Sequence, residues 1–347
     1  MNRLDDVQLQ QLAQQHGTPL LVLDCARLLQ QYQALQDALP KVDFFYAVKA
    51  FSHPSVIKTL SQCGAGFDIA SSGEVELLRN LHINPRRTIH THPIKKHSEI
   101  RSALRYGCTT FVVDNIAELE KFQQYKNRVG LLLRVSFRSP DAVVDLSRKF
   151  GCTPAEAHSL MQQAHAMGIH IKGLSFHVGS QSKTASAHVD AIEQCANIMQ
   201  QFTEHTGKPV SILDIGGGFP ADYSQTGDAP QAGIYSFCEP IRIALAQLPE
   251  HIEVIAEPGR YLVAPAATSS TSVMGKAERG EGQEKKTWYY LDDGVYGVFS
   301  GQIYDHAVYP VRSLKQSHKT YSSVLAGPTC DSIDVIAEDI QLPRLEI

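Results

Sequence analysis

DFFYAVKA, residues 43–50, is the stretch on which the reading of this chain turns. It is a short apolar run, and a helix is expected from about Pro54. The same pairing of β-like run and helix then recurs. GFDIA (66–70) precedes SGEVELLRNL, with Ser71 or Ser72 as N-cap. TIHTH (88–92) precedes KKHSEIRSALRYG, which closes on Gly107. TTFVVD (109–114), GLLLRVSF (130–137), IKGLSFHVGS (171–180), VSILDIGGG (210–218) and IEVIAEPGR (252–260) complete the series, with helical stretches between them. Nearly continuous apolar runs suit parallel strands covered on both faces. Eight such units over about 220 residues fit a (β/α)8 barrel better than an open doubly wound sheet.

After Pro265 the pattern changes. TSSTSVMGK, KTWYYLDDG, HAVYPV and TYSSVLAG are β-like with no helices between them, and AERGEGQEKK reads as a solvated hairpin loop. The N-terminal residues MNRLDDVQLQQLAQQHG read as a short helix, and PLLVLD (19–24) as a strand of the same β part. The expected fold is α/β, with a (β/α)8 barrel over 26–265 inserted into an all-β domain built from 1–25 and 266–347.

Composition narrows the class. The chain has 347 residues, 43% apolar and 20% charged, with net charge −4. That balance offers no electrostatic footprint for nucleic acid or an anionic membrane. No apolar run approaches the roughly 20 residues of a membrane span, and the N-terminus lacks a secretory apolar region. Seven cysteines, at 25, 63, 108, 152, 195, 238 and 330, form no CxxC. They suggest free thiols in the cytoplasm, with neither a disulfide framework nor a metal site.

Barrel enzymes place their chemistry at the C-terminal ends of the strands. Here those ends carry Lys49, Asp68, His90, His92, Arg134, His177, Gly216–Gly218, Glu257 and Arg260. Lys49 alone reads first as a strand-end lysine reaching for solvent. Its neutral amine could also attack an aldehyde and form a Schiff base. Gly216, Gly217 and Gly218 follow a strand directly and could cradle a phosphate, with Arg260 adding charge. They do not match the dinucleotide pattern GxGxxG. Glu257 could pair with Arg260, or it could face a pyridine nitrogen and favour its protonated form. His177 could be a core histidine or lie against a ring, and Ser180 is a candidate phosphate ligand.

YAVKA, GFDIAS with Glu74 following, FHVGSQ, LDIGGGFP, EPGRY, DDGVYG and GPTCDSID occur in that order. Together they resemble the fold-type III (alanine-racemase-like) pyridoxal-phosphate decarboxylases, which include ornithine, lysine, diaminopimelate and arginine decarboxylases. The resemblance covers nearly the whole chain. It implies a head-to-tail homodimer with shared active sites and pyridoxal 5'-phosphate as cofactor. It makes Lys49 the Schiff-base lysine, with His177 on the ring and Glu257 at its nitrogen. Ser180, Gly216–Gly218, Gly259 and Arg260 would serve the phosphate, while Asp68, Glu74 and Arg134 shape the site. Cys330 would protonate the α-carbon. Cys330 and Asp331 would reach the partner subunit's site.

Asp305 in YDH and Asp331 resemble the aspartates that take a distal ammonium, and Tyr296 and Glu74 join them as substrate contacts. RKFG (148–151) also resembles the ornithine/lysine branch. Ornithine, giving putrescine, is therefore expected before lysine, with diaminopimelate as an alternative. One methylene separates the first two, worth only about 1–3 kcal/mol in a pocket. A non-catalytic regulatory homologue is the alternative of another class, and an amino-acid racemase on the same cofactor a third. The sequence departs from the family at its end. It stops at QLPRLEI, before the Gly-Asp pair and the Gly-Ala-Tyr motif, so weaker cofactor retention is expected.

Overall fold

The computed structural model describes residues 5–137, 149–223, 231–282, 285–315 and 317–347. The first residues of the expected N-terminal helix, Arg148 of RKFG and residues 283–284 of the hairpin loop lie outside them. The chain divides into two units. One is Cys25–Asp222 with Ala229–Ala264, and the other is Met1–Asp24, Tyr223–Asp228 and Pro265–Ile347.

After a helix at Asp6–His16, β1 (Leu20–Leu23) is the first strand. Eight parallel strands follow: β2 (Val42–Ala47), β3 (Gly66–Ile69), β4 (Thr88–His90), β5 (Thr110–Val113), β6 (Gly130–Val135), β7 (Ile171–Phe176), β8 (Ile212–Asp214) and β9 (Glu253–Ala256). β9 pairs back onto β2, so the sheet closes into a barrel. Phe45, Ile89, Val112, Leu132 and Ile255 pack together as a core cluster. Each buried side chain of that size contributes about 1.5–3 kcal/mol. The intervening helices bury one stripe. His97–Tyr106 covers Ile100, Ala103 and Leu104 and ends at Gly107 in the left-handed region. Ser71, Asn115 and Thr153 cap their helices through side-chain oxygens.

Several strands stop earlier than their apolar runs suggest. β7 ends at Phe176 and β8 at Asp214. His177–Ser180 and Gly216–Gly218 therefore lie in loops. Gly179 (φ 102°), Gly216 (φ 64°) and Gly218 (φ 101°) take left-handed backbone that no strand contains.

In the other unit, β1 pairs antiparallel with β10 (Ala267–Ser270), which ties the N-terminal segment to the C-terminal part. β11 (Val273–Arg279), β12 (Lys286–Leu291), β13 (Tyr321–Ala326) and β14 (Val335–Leu342) form a second sheet in that order. β12 and β13 run parallel and the other neighbours antiparallel. Tyr289, Leu291, Val295, Leu325, Ile336 and Leu342 form its core. TSSTSVMGK splits into β10 and β11. HAVYPV (306–311) forms no strand. It follows a helix at Gly301–Asp305, Val308 is 85% exposed, and Pro310 lacks the N–H a ladder needs. Among the described residues no helix is long and apolar enough to cross a membrane.

Candidate active site

Lys49 lies just beyond β2, exposed in a single 3-10 turn at Val48–Ala50. The turn is braced from the segment after β9. The Ala47 N–H donates to the Pro258 carbonyl at 3.0 Å. A Cβ on Gly259 would stand 3.0 Å from that of Ala50 and 3.3 Å from that of Ala47. Gly259 thus has a packing reason to be glycine: it lets the EPGR segment lie against the lysine's turn.

Two buried carboxyls and one half-buried carboxyl act on this amine. Asp68, on β3 and 2% exposed, accepts the Thr91 hydroxyl. Burial first, then the Glu257 charge, pushes its carboxyl up to about 8. Glu74, from the helix Ser72–Asn80, accepts the Ala70 N–H at 2.5 Å, and burial raises it too. Glu257 follows β9, is 6% exposed, and is held well above the carboxylate range by burial and by Asp214. Lys49 opposes the rise in all three, and Arg134 opposes it at Glu257. Lys49, Asp68, Glu74, Arg134 and Glu257 therefore share one electrostatic neighbourhood at the strands' C-terminal ends.

The loops after β7 and β8 complete it. The His177 Nδ1 accepts the Gly179 N–H at 3.0 Å. Burial, then Arg134 and Lys49, hold this imidazole neutral. A Cβ on Gly216 would stand 2.2 Å from the Phe176 carbonyl oxygen. One on Gly217 would stand 2.9 Å from the Glu257 carbonyl oxygen and 3.0 Å from His177 Nε2. All three glycine carbonyls are engaged. Gly216 accepts from the Glu257 N–H at 2.7 Å and Gly218 from the Ser182 N–H at 3.1 Å. The Gly217 carbonyl meets His188 Nε2 at 3.1 Å. The Gly216 N–H is taken by Asp214, and those of Gly217 and Gly218, without a partner among the described residues, can meet an anion. Beside Gly218 lies the fully buried Ser182 hydroxyl, which has no partner among the described residues. Ser180 is half-buried in the same stretch, and Arg260 opens the short helix Arg260–Val263. A glycine cradle, an orphaned hydroxyl, a neutral imidazole, a buried carboxyl and an amine suit a phosphorylated aromatic aldehyde.

Sequence reading missed Thr91, Asp214, Ser182 and His188. Asp214 had a signal, an acid ending an apolar strand directly before glycines. His188 had none, because it reaches the glycines from the first turn of a separate long helix, Ser186–Thr206. Two expected residues are not brought in. His90 is 1% exposed and stacks on Phe111, which in turn meets Phe122 of the helix Ile116–Phe122. Its register partner Phe111 shares its parity, whereas the neighbouring Ile89 joins the core cluster. His92 meets Phe150 edge-on at 5.4 Å.

In the β unit, the Tyr296 hydroxyl donates to Asp331 at 2.5 Å, and that bond holds the Asp331 carboxyl below its ordinary range. Cys330 and Asp331 are exposed, and Asp305 ends the helix Gly301–Asp305. Asp334, buried, fixes both loops: it accepts the Val295 N–H at 2.9 Å, the Thr329 N–H at 3.0 Å and the Thr329 hydroxyl at 2.7 Å.

Residues 25–264 match the family model of the pyridoxal-dependent decarboxylases, in its pyridoxal binding domain. A lysine/ornithine decarboxylase of Selenomonas ruminantium is 35% identical over 345 residues, 99% of this chain and 86% of that protein. Antizyme inhibitor 2 of Xenopus laevis is 35% identical over 341 residues, 94% of this chain and 73% of that protein. Among solved structures, a lysine/ornithine decarboxylase of Vibrio vulnificus complexed with putrescine is 49% identical. It superposes with a TM-score of 0.91, covering 100% of this chain and 90% of that one. The chain belongs to the pyridoxal-dependent decarboxylases, enzymes that work on pyridoxal phosphate held in a barrel domain.

Proposed function

We propose that this enzyme decarboxylates a basic L-amino acid, ornithine to putrescine before lysine to cadaverine, as a cytoplasmic homodimer with shared active sites. The observation that carries the reading is the convergence of Lys49, Glu257 and the Gly216–Gly218 cradle on one neighbourhood of the barrel. Bound pyridoxal phosphate supplies the electron sink for the charge left when the substrate's carboxylate departs. Lys49 holds the cofactor through its amine. Gly217 and Gly218, with Ser180 and Arg260, hold the phosphate. Neutral His177 would face the ring, and Glu257 would serve its nitrogen. Asp68, Glu74 and Arg134 set the charge around Lys49. Cys330 delivers a proton to the α-carbon. Asp305 and Asp331 take the distal ammonium, each charge-assisted hydrogen bond contributing roughly 1.5–3 kcal/mol. The hydrogen bond from Tyr296 supports this role by keeping Asp331 ionised.

The 35% identity to an antizyme inhibitor favours a second reading, a non-catalytic regulator. Against it, the chain carries Lys49, Asp68, His177, Glu257, Arg260, Cys330 and Asp331 together. The test is to add pyridoxal phosphate, record the visible band, and assay carbon dioxide release from ornithine, lysine, diaminopimelate and arginine separately. Release from ornithine or lysine is expected, and Lys49→Ala should abolish both band and release. A band unchanged in Lys49→Ala refutes the assignment. Release from diaminopimelate alone refutes the roles of Asp305 and Asp331. Cofactor uptake without release from any substrate favours the regulator.

A further inference from the structure

Asp214 ends β8 fully buried, with three polar partners. One oxygen accepts the Gly216 N–H at 2.9 Å, and the other accepts the Ser175 hydroxyl at 3.0 Å. The carboxyl is also hydrogen-bonded to that of Glu257. Two carboxyls can bond only by sharing a proton. The backbone repeats the link, since the Glu257 N–H donates to the Gly216 carbonyl at 2.7 Å. We propose that Asp214 is the positioning residue of the cofactor site, joining the phosphate cradle to the carboxyl at the ring nitrogen so that both ends of the cofactor meet one rigid unit. This rests on the reading of the site given above and deepens it.

The arrangement has a built-in alkaline limit. The pair stays closed while it keeps one proton, and burial raises both members. Once the proton leaves, two adjacent buried carboxylates repel and the cradle loosens. The other charged or titratable groups facing the pair are Lys49, Asp68, Arg134 and His177.

The experiment follows cofactor release from the holoenzyme, by loss of its visible band on dilution, across pH, in wild type, Asp214→Ala and Asp214→Asn. Wild type should release faster as the pH turns alkaline. Asp214→Ala frees the Gly216 amide and Glu257 together and should release at least about tenfold faster at every pH. Asp214→Asn keeps an acceptor for Gly216 and gives Glu257 a permanent donor, so its alkaline acceleration should vanish. A residue needed only for folding would not flatten the profile in this way, and the Asn variant decides the matter if the Ala variant does not fold. An Asp214→Asn profile identical to wild type, or wild-type release in Asp214→Ala, overturns the proposal. A wild-type chain that takes up no pyridoxal phosphate overturns the reading of the site itself.

Discussion

Asp68 holds its proton in the cofactor-free protein, because burial and the Glu257 charge set its carboxyl at about 8 against an ordinary 3.8. The folded chain therefore binds more protons than the unfolded one between those values. The contribution of Asp68 is complete below the unfolded value and is lost as pH rises through about 8. Asp68→Asn should raise the stability of the cofactor-free chain at about pH 8, on the order of 1–3 kcal/mol, and flatten its decline from acid pH. Thermal unfolding across pH reads this directly, and an Asn variant less stable at alkaline pH would contradict the buried, proton-holding state. Lys49, Glu257 and the three glycines were legible because each sits in a compact motif. Asp214 showed as an acid before the glycines, but its task was not legible, since that depends on a carboxyl brought beside it by the next strand. His90 misled for a related reason. It ends a strand, but strand parity turns it away from the barrel's core cluster.

Strands and their loops show where periodicity helps and where it overreaches. Apolar runs located all eight barrel strands but not their ends, because loops that carry a site can be as apolar as the strand before them. Gly173, inside β7, marks the opposite case. A Cβ there would stand 1.7 Å from the Ile212 carbonyl oxygen of β8. Gly173→Ala must push two barrel strands apart, and it should destabilise the chain by at least about 1–3 kcal/mol. Urea unfolding measures it, and a variant as stable as wild type would mean that the strands do not approach so closely. HAVYPV shows that an apolar run alone makes no strand, because a strand needs a ladder partner as well as a face to bury.

For the whole molecule, the proposed homodimer places Lys49 of one subunit and Cys330 of the other in the same site. Lys49→Ala and Cys330→Ala, each inactive alone, should then recover about a quarter of wild-type activity when their subunits are mixed and exchanged at random. Half the dimers would be hybrids, each with one intact site of two. No recovery after proven subunit exchange would assign both residues to one chain's own site. The sequence by itself determined the number of barrel strands, the return of the N-terminal strand to the β part, and the residue types proposed to hold a phosphorylated aldehyde. Those are properties of local pattern and motif, which neighbouring residues encode. Only the tertiary structure decided that Asp214 bonds to Glu257, that His188 and Ser182 back the glycines, and that Gly259 makes room for the turn of Lys49. Each of these depends on atoms from separate strands or helices meeting at a few ångströms, and closing the barrel is what brings them there.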